Sequence, residues 1–119
     1  MILKDNFYRI LSLVNNSEGD YSIKVELVSK HPIFCGHFPD KPVVPGVCTL
    51  TVIKECLGLI LGRDISFVSI KECKYLSVLL PKEGLTIIIN LTITDVSKVR
   101  ALVESEGKQI LKLRAAISE

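Results

Sequence analysis

The sequence predicts an α+β domain in which an antiparallel sheet curls around one long apolar helix. Segments with strand-like alternation of apolar and polar residues lie at residues 7–14, 21–28, 66–78, 85–94, 97–104 and 108–117. One longer segment, Gly46–Leu61, has apolar residues around most of a helical circumference, which is typical of a buried helix. With 119 residues, the chain (1–119) is predicted to form a single domain.

The strand predictions rest on a period of two. Residues 21–28 alternate between apolar and polar positions, and residues 85–94 do so even more regularly. Residues 15–20, Asn-Asn-Ser-Glu-Gly-Asp, have the composition of a turn, so the first two strands are predicted to form a hairpin. The four later segments follow the helix in sequence and are predicted to form a four-stranded meander.

The helix has a start signal and a stop signal in the sequence. Pro45 suits the first turn, where a missing N–H costs nothing, and Gly62 suits the position just after the last turn. The preceding residues 30–45 contain four prolines and Gly36, which exclude a regular helix or a central strand. Both histidines of the chain lie in this loop.

Composition excludes several classes of function. A net charge of +2 with scattered lysines does not indicate a nucleic-acid binder, and no apolar run is long enough for a membrane span. The N-terminus lacks a signal-peptide pattern, so a cytoplasmic protein is expected. The hydrophobic fraction of 48% favours a subunit interface. The four cysteines are Cys35, Cys48, Cys56 and Cys73. They lack metal-ligand spacing and are expected to be reduced and buried.

The most informative stretch is residues 31–47, HPIFCGHFPDKPVVPGV. From Gly36 onward it fills every fixed position of the pattern G-H-F-P-x-x-P-x-x-P-G-V. It therefore resembles the hotdog-fold 3-hydroxyacyl-[acyl-carrier-protein] dehydratases of fatty-acid synthesis. Residues 67–71 and 80–84 are also similar to this family, so the resemblance spans nearly the whole chain.

The resemblance implies a function and a set of site residues. His37 is the base that removes the proton from carbon 2 of a 3-hydroxyacyl thioester, a role that suits a histidine at neutral pH. The helix start at Gly46 supplies N–H groups for the enolate-like oxygen. Substrate contacts are implied for Phe38, Pro39, Gly46, Val47 and Thr51. No metal and no redox cofactor is expected, because the substrate arrives on the phosphopantetheine of an acyl carrier protein.

One position departs from the family. The catalytic carboxylate of these dehydratases lies five residues after the glycine of Pro-Gly, and here that residue is Thr51. Glu55 lies one turn later on the same face of the helix and is the candidate acid. A second interpretation, that Glu55 is a solvated or salt-bridged residue beside Lys54, stays open. His31 lies outside the fixed positions and is interpreted as a loop residue, and His37 itself has the alternative of a purely structural role.

Three functions are therefore compared. The first is a dehydratase that works as a homodimer or a higher even oligomer and binds an acyl carrier protein near Lys41, Arg63 and Lys74. The second is a catalytically impaired hotdog subunit that binds acyl thioesters or completes a site in a heterodimer. The third is an acyl thioesterase on the same fold, since a fold does not determine the reaction.

Overall fold

The computed structural model describes residues 8–27, 46–79, 84–95 and 97–118. They form six strands and one helix. The strands are β1 (Tyr8–Ser17), β2 (Asp20–Leu27), β3 (Phe67–Tyr75), β4 (Thr86–Asp95), β5 (Lys98–Ser105) and β6 (Lys108–Ile117). The helix α1 is Gly46–Leu61 and lies between β2 and β3 in the sequence. The predicted bounds of α1 and β6 agree with the structure, and the other strands are shifted by a few residues.

All six strands form one antiparallel sheet in the order β1-β2-β4-β5-β6-β3. The predicted hairpin of the first two strands is confirmed, with a tight turn at Glu18 and Gly19. The predicted four-stranded meander is wrong in one respect. Strand β3 pairs with β6 and forms an edge of the sheet, because both sides of β4 are already occupied by β2 and β5.

The period-two alternation places the core on one face of the sheet, the inner face. Most of the apolar residues predicted to point one way in β2 and β4 are buried there, whereas Tyr21 and Ile93 are half-buried. Strands β5 and β6 bury their alternate residues in the same manner. The largest of these buried side chains include Ile23, Ile87, Ile89, Leu91, Leu111 and Leu113. This face receives the helix.

Helix α1 packs against the inner face with one side. Its buried residues are Cys48, Thr49, Val52, Ile53, Cys56 and Leu57, which share one side of the helix. The helix ends where Gly62 adopts a φ of 70° and its N–H donates to the carbonyl of Gly58 at 2.8 Å.

The prediction of a helix buried nearly all round is wrong for a single chain. The sheet covers only one side of α1, so Lys54 is exposed and Leu59 is 50% exposed. Within the described ranges, no helix is both long enough and apolar enough to cross a membrane.

Candidate functional site

Only part of the predicted site falls within the described residues. The predicted base His37 and the predicted substrate contacts Phe38 and Pro39 lie outside them, as does His31. Gly46 and Val47 are the first two residues of α1, as the sequence predicted. The first turn of this helix contains no acidic residue, so no carboxylate of that turn offsets the positive end of its dipole.

Thr51 and Glu55 lie on one flank of α1, one turn apart. Both side chains are half-buried, and they lie beside the fully buried side of the helix that includes Val52 and Cys56. The four-residue step from Thr51 to Glu55 separates their positions by about 6 Å along the axis. A carboxylate at Glu55 is therefore displaced by that distance from the position where the resemblance implies the acid.

The Glu55 carboxylate accepts a hydrogen bond from a buried tyrosine. The hydroxyl of Tyr8 donates to Oε1 of Glu55 at 3.0 Å, and the Tyr8 side chain is 0% exposed. A carboxylate that accepts a hydrogen bond from a buried phenol is restricted in rotation. The structure therefore favours the interpretation of Glu55 as a positioned group over that of a freely solvated residue at the helix edge.

Tyr8 was missed in the sequence because β1 gives little sign of which residues face inward. Among the ten residues of this strand, Tyr8 alone is buried, and most of the others are exposed. The contact joins residues 47 positions apart, across the predicted loop. The one available signal was an aromatic residue with a polar end at the start of a strand, since such residues need a partner when buried.

The cysteines near this flank are not activated. Burial raises the pKa of the Cys48 thiol, and burial together with the negative charge of Glu55 raises the pKa of the Cys56 thiol to about 12. Because the thiolate is the reactive form, Cys56 is not a nucleophile at neutral pH. Cys48, Cys56 and Cys73 are free thiols, with Cys73 only half-buried, and Cys35 lies outside the described residues.

The basic residues predicted near the carrier site are separated in the structure. Arg63 follows the end of α1, whereas Lys74 lies on β3 opposite Lys112, on the face of the sheet away from the helix. Lys41 lies outside the described residues. In the described part of the chain, no group of three or more His, Cys, Asp or Glu side chains is placed to hold a metal ion.

Comparison with protein families identifies the family of the chain. Residues 13–111 match the sequence model of the ApeI-like family, described as ApeI dehydratase. The match covers α1 and its flank with Thr51 and Glu55, together with the segment of sequence that contains His37. The chain belongs to the ApeI-like dehydratase family. The resemblance to hotdog dehydratases that residues 36–47 predicted is therefore confirmed.

Curated relatives of this ApeI-like chain include 3-hydroxyacyl-[acyl-carrier-protein] dehydratases named FabZ. The FabZ of Rhodopseudomonas palustris (strain TIE-1) is 30% identical over 112 residues, which cover 85% of the chain and 73% of the relative. The FabZ of Bradyrhizobium sp. (strain ORS 278) is 34% identical over 87 residues, or 64% of the chain. The chain spans 57% of the length of that Bradyrhizobium relative.

The solved structures confirm the fold of this family member. The dehydratase heterocomplex ApeI:P from Xenorhabdus doucetiae superposes with a TM-score of 0.80, at 19% sequence identity. The alignment covers 93% of the chain and 97% of the Xenorhabdus chain. At this identity the similarity concerns the fold, so the predicted α+β hotdog architecture is confirmed.

Proposed function

We propose that the chain is a cytoplasmic dehydratase that removes water from 3-hydroxyacyl thioesters carried by an acyl carrier protein. The product is a trans-2-enoyl thioester, as needed in fatty-acid or related polyene biosynthesis. The observation that carries this proposal is the hydrogen bond from the buried Tyr8 to Glu55, one turn from Thr51. It provides a positioned carboxyl group on the helix flank where the family residue is replaced.

The proposed reaction uses two proton transfers. His37 takes the proton from carbon 2, and the electron pair of that C–H bond forms the double bond to carbon 3. The bond from carbon 3 to the hydroxyl oxygen breaks, and the protonated Glu55 carboxyl gives its proton to that oxygen, which leaves as water. The backbone N–H groups at the start of α1, including that of Gly46, stabilise the negative charge that develops on the thioester oxygen.

In this proposal Tyr8 acts on the substrate through Glu55. Proton donation leaves Glu55 negatively charged, and the Tyr8 hydroxyl already donates to that carboxylate at 3.0 Å. The hydrogen bond is therefore stronger after the proton has left than before, which favours the transfer. Thr51 and Val47 remain the proposed substrate contacts on the helix, and Phe38 and Pro39 remain those in the sequence before it.

The proposed assembly is a homodimer formed through β3 and the helix side. Strand β3 is an edge of the described sheet, and it exposes apolar side chains: Val68 is 69% exposed, Ile70 47% and Tyr75 53%. Long apolar edge strands associate with other strands unless they are covered. Light scattering of a dilute sample should give about twice the chain mass, and a stable monomer at micromolar concentration would contradict this assembly.

The decisive assay supplies a 3-hydroxyacyl thioester and an enoyl thioester and follows the reaction in both directions. His37→Ala should reduce the rate by about 100-fold or more, because a positioned general base typically contributes that much to the rate. His31→Ala should have little effect. Glu55→Gln should abolish the activity because an amide cannot donate the proton. Glu104→Gln, the same chemical change on β5, is the matched control.

A second candidate is a catalytically impaired subunit that completes its site with a different hotdog partner. Thr51 at the position of the family carboxylate favours it, and the Xenorhabdus relative is itself a heterocomplex. This candidate predicts that the wild type alone is inactive, and that either Thr51→Glu or a partner protein creates activity. An active wild type that is unaffected by Glu55→Gln would contradict the role proposed for Glu55 and would assign the proton to another group.

A further inference from the structure

The outer face of the sheet, opposite α1, contains a groove of about 370 Å³ that crosses β4, β5, β6 and β3. Three cationic side chains line it, Arg100, Lys112 and Arg114, together with the carboxylate of Glu72. These residues alternate along their strands with buried residues such as Ala101 and Leu113, so they lie on the face away from the core. The groove is separate from the candidate site on the helix.

The strand register places like charges directly opposite each other in this groove. Arg100 of β5 is the partner of Arg114 of β6, and Lys112 of β6 is the partner of Lys74 of β3. Cβ atoms of such partners are about 5 Å apart, and like charges at that distance destabilise a sheet. The fold therefore retains two repulsive pairs side by side.

Local carboxylates neutralise little of this charge. Glu72 is opposite Arg114, and its nearest cationic atom is Nζ of Lys74 at 4.0 Å. Among the described residues, no carboxylate forms an ion pair within 4.0 Å of Arg100, Lys112 or Arg114. The four cations and one carboxylate have a net charge of +3, whereas the whole chain has a net charge of +2. The remainder of the molecule is therefore slightly acidic.

We propose that this groove, lined by Arg100, Lys112 and Arg114 and extended by Lys74, is a docking site for an acidic segment of a partner protein. Two adjacent guanidinium groups can each bind a carboxylate with two parallel hydrogen bonds. Carboxylates in the groove would also relieve the repulsion between the paired cations. A region that breaks a local rule of stability with little internal compensation is where a binding function is expected.

The chemistry of the groove favours protein over nucleic acid. None of the described residues that line it is aromatic, so they offer no surface on which bases could stack, and Glu72 would repel a continuous phosphate backbone. Leu102 adds an apolar contact beside the cations, which suits an amphipathic acidic segment. Because α1 packs on the opposite face, a partner bound here leaves the candidate site accessible, and the inference does not depend on the proposed reaction.

The test measures binding of a fluorescein-labelled poly-glutamate peptide to the full chain by fluorescence anisotropy. The wild type should bind it with an affinity that falls steeply between about 0.05 M and about 0.5 M salt. The double variant Arg100→Thr/Arg114→Thr should bind at least about tenfold more weakly. The matched control Lys24→Thr/Lys108→Thr removes the same charge from exposed strand positions outside the groove and should bind nearly as well as the wild type.

The outcomes separate the groove from a general effect of charge. Equal weakening in both double variants would show that net charge alone drives binding and would overturn the proposal. Absence of binding by the wild type at low salt, or tighter binding of a labelled single-stranded oligonucleotide than of the peptide, would overturn it as well. Thermal melting of both variants checks folding, and loss of the repulsive pair should make the Arg100→Thr/Arg114→Thr variant at least as stable as the wild type.

Discussion

Removal of the Tyr8 hydroxyl is the most direct perturbation of the helix flank. Tyr8→Phe keeps the buried ring and deletes one donor to Glu55, so neither a large cavity nor a new charge is created. A hydrogen bond to a charged group contributes about 1.5–3 kcal/mol. Because Glu55 is only half-buried, water replaces part of the lost interaction, and we expect the lower part of that range, about 1.5–2 kcal/mol.

The assay is urea denaturation followed by circular dichroism at one fixed protein concentration, since association changes apparent stability. Tyr21→Phe is the matched control: Tyr21 is half-buried on the neighbouring strand, and its hydroxyl makes no hydrogen bond to the described residues. We expect its effect to stay within about 0.5 kcal/mol. Tyr8→Phe should also lower any dehydration rate without changing the Michaelis constant, because Tyr8 acts through Glu55.

A double-mutant cycle tests whether the effect of Tyr8→Phe passes through Glu55. In a Glu55→Ala background the same substitution should cost at least about 0.5 kcal/mol less than in the wild type, because the carboxylate acceptor is absent. An equal cost in both backgrounds would refute the reasoning, since the Tyr8 hydroxyl would then stabilise the fold independently of Glu55. A cost below about 0.5 kcal/mol in the wild type would refute it too.

Two further predictions concern the hairpin turns. Gly19 has a φ of 80°, and a Cβ there would lie 2.6 Å from the carbonyl oxygen of Ile93. Gly107 has a similar φ of 78°, but a Cβ there would meet open space, so Gly107→Ala should destabilise the chain by about 1–2 kcal/mol in urea denaturation. Gly19→Ala should destabilise it by more. The Asp95 carboxylate accepts bonds from N–H and Oγ of Ser97 at 2.8 and 3.1 Å, and the backbone N–H of Ser97 is the main reason that the pKa of Asp95 is lowered. The pKa of Asp95 is therefore lower in the folded chain than in the unfolded chain. The stability advantage of the wild type over Asp95→Asn should be constant near neutral pH and should shrink on acidification through the folded pKa. An advantage that grows at low pH would contradict this.

The local structure of this protein was largely predictable because it depends on neighbouring residues. The period of two in β2 and β4 reports which side chains are buried, since successive residues of a strand point to opposite faces. Pro45 and Gly62 gave the bounds of α1 because each acts on the backbone at its own position. The loop motif around His37 identified the family, since it has many fixed positions in a short stretch.

The order of the strands was decided only by the tertiary structure. Residue alternation is the same whichever strand lies alongside, so it did not indicate that β3 pairs with β6 at the edge of the sheet. The same pairing brings Arg100 opposite Arg114 and creates the basic groove, although the two residues are well separated in the sequence. Register across strands depends on packing of the whole core, which a local pattern does not contain.

The sequence by itself predicted the family and the helix, and it places Thr51 where the resemblance implies a carboxylate. Only the tertiary structure decided how Glu55 is held, because its partner Tyr8 lies 47 residues away at the start of a strand with almost no alternation. Secondary structure is specified by short-range periodicity, whereas a hydrogen bond between distant side chains exists only when packing brings the two elements together. The chemistry of the helix flank therefore depends on the folded chain.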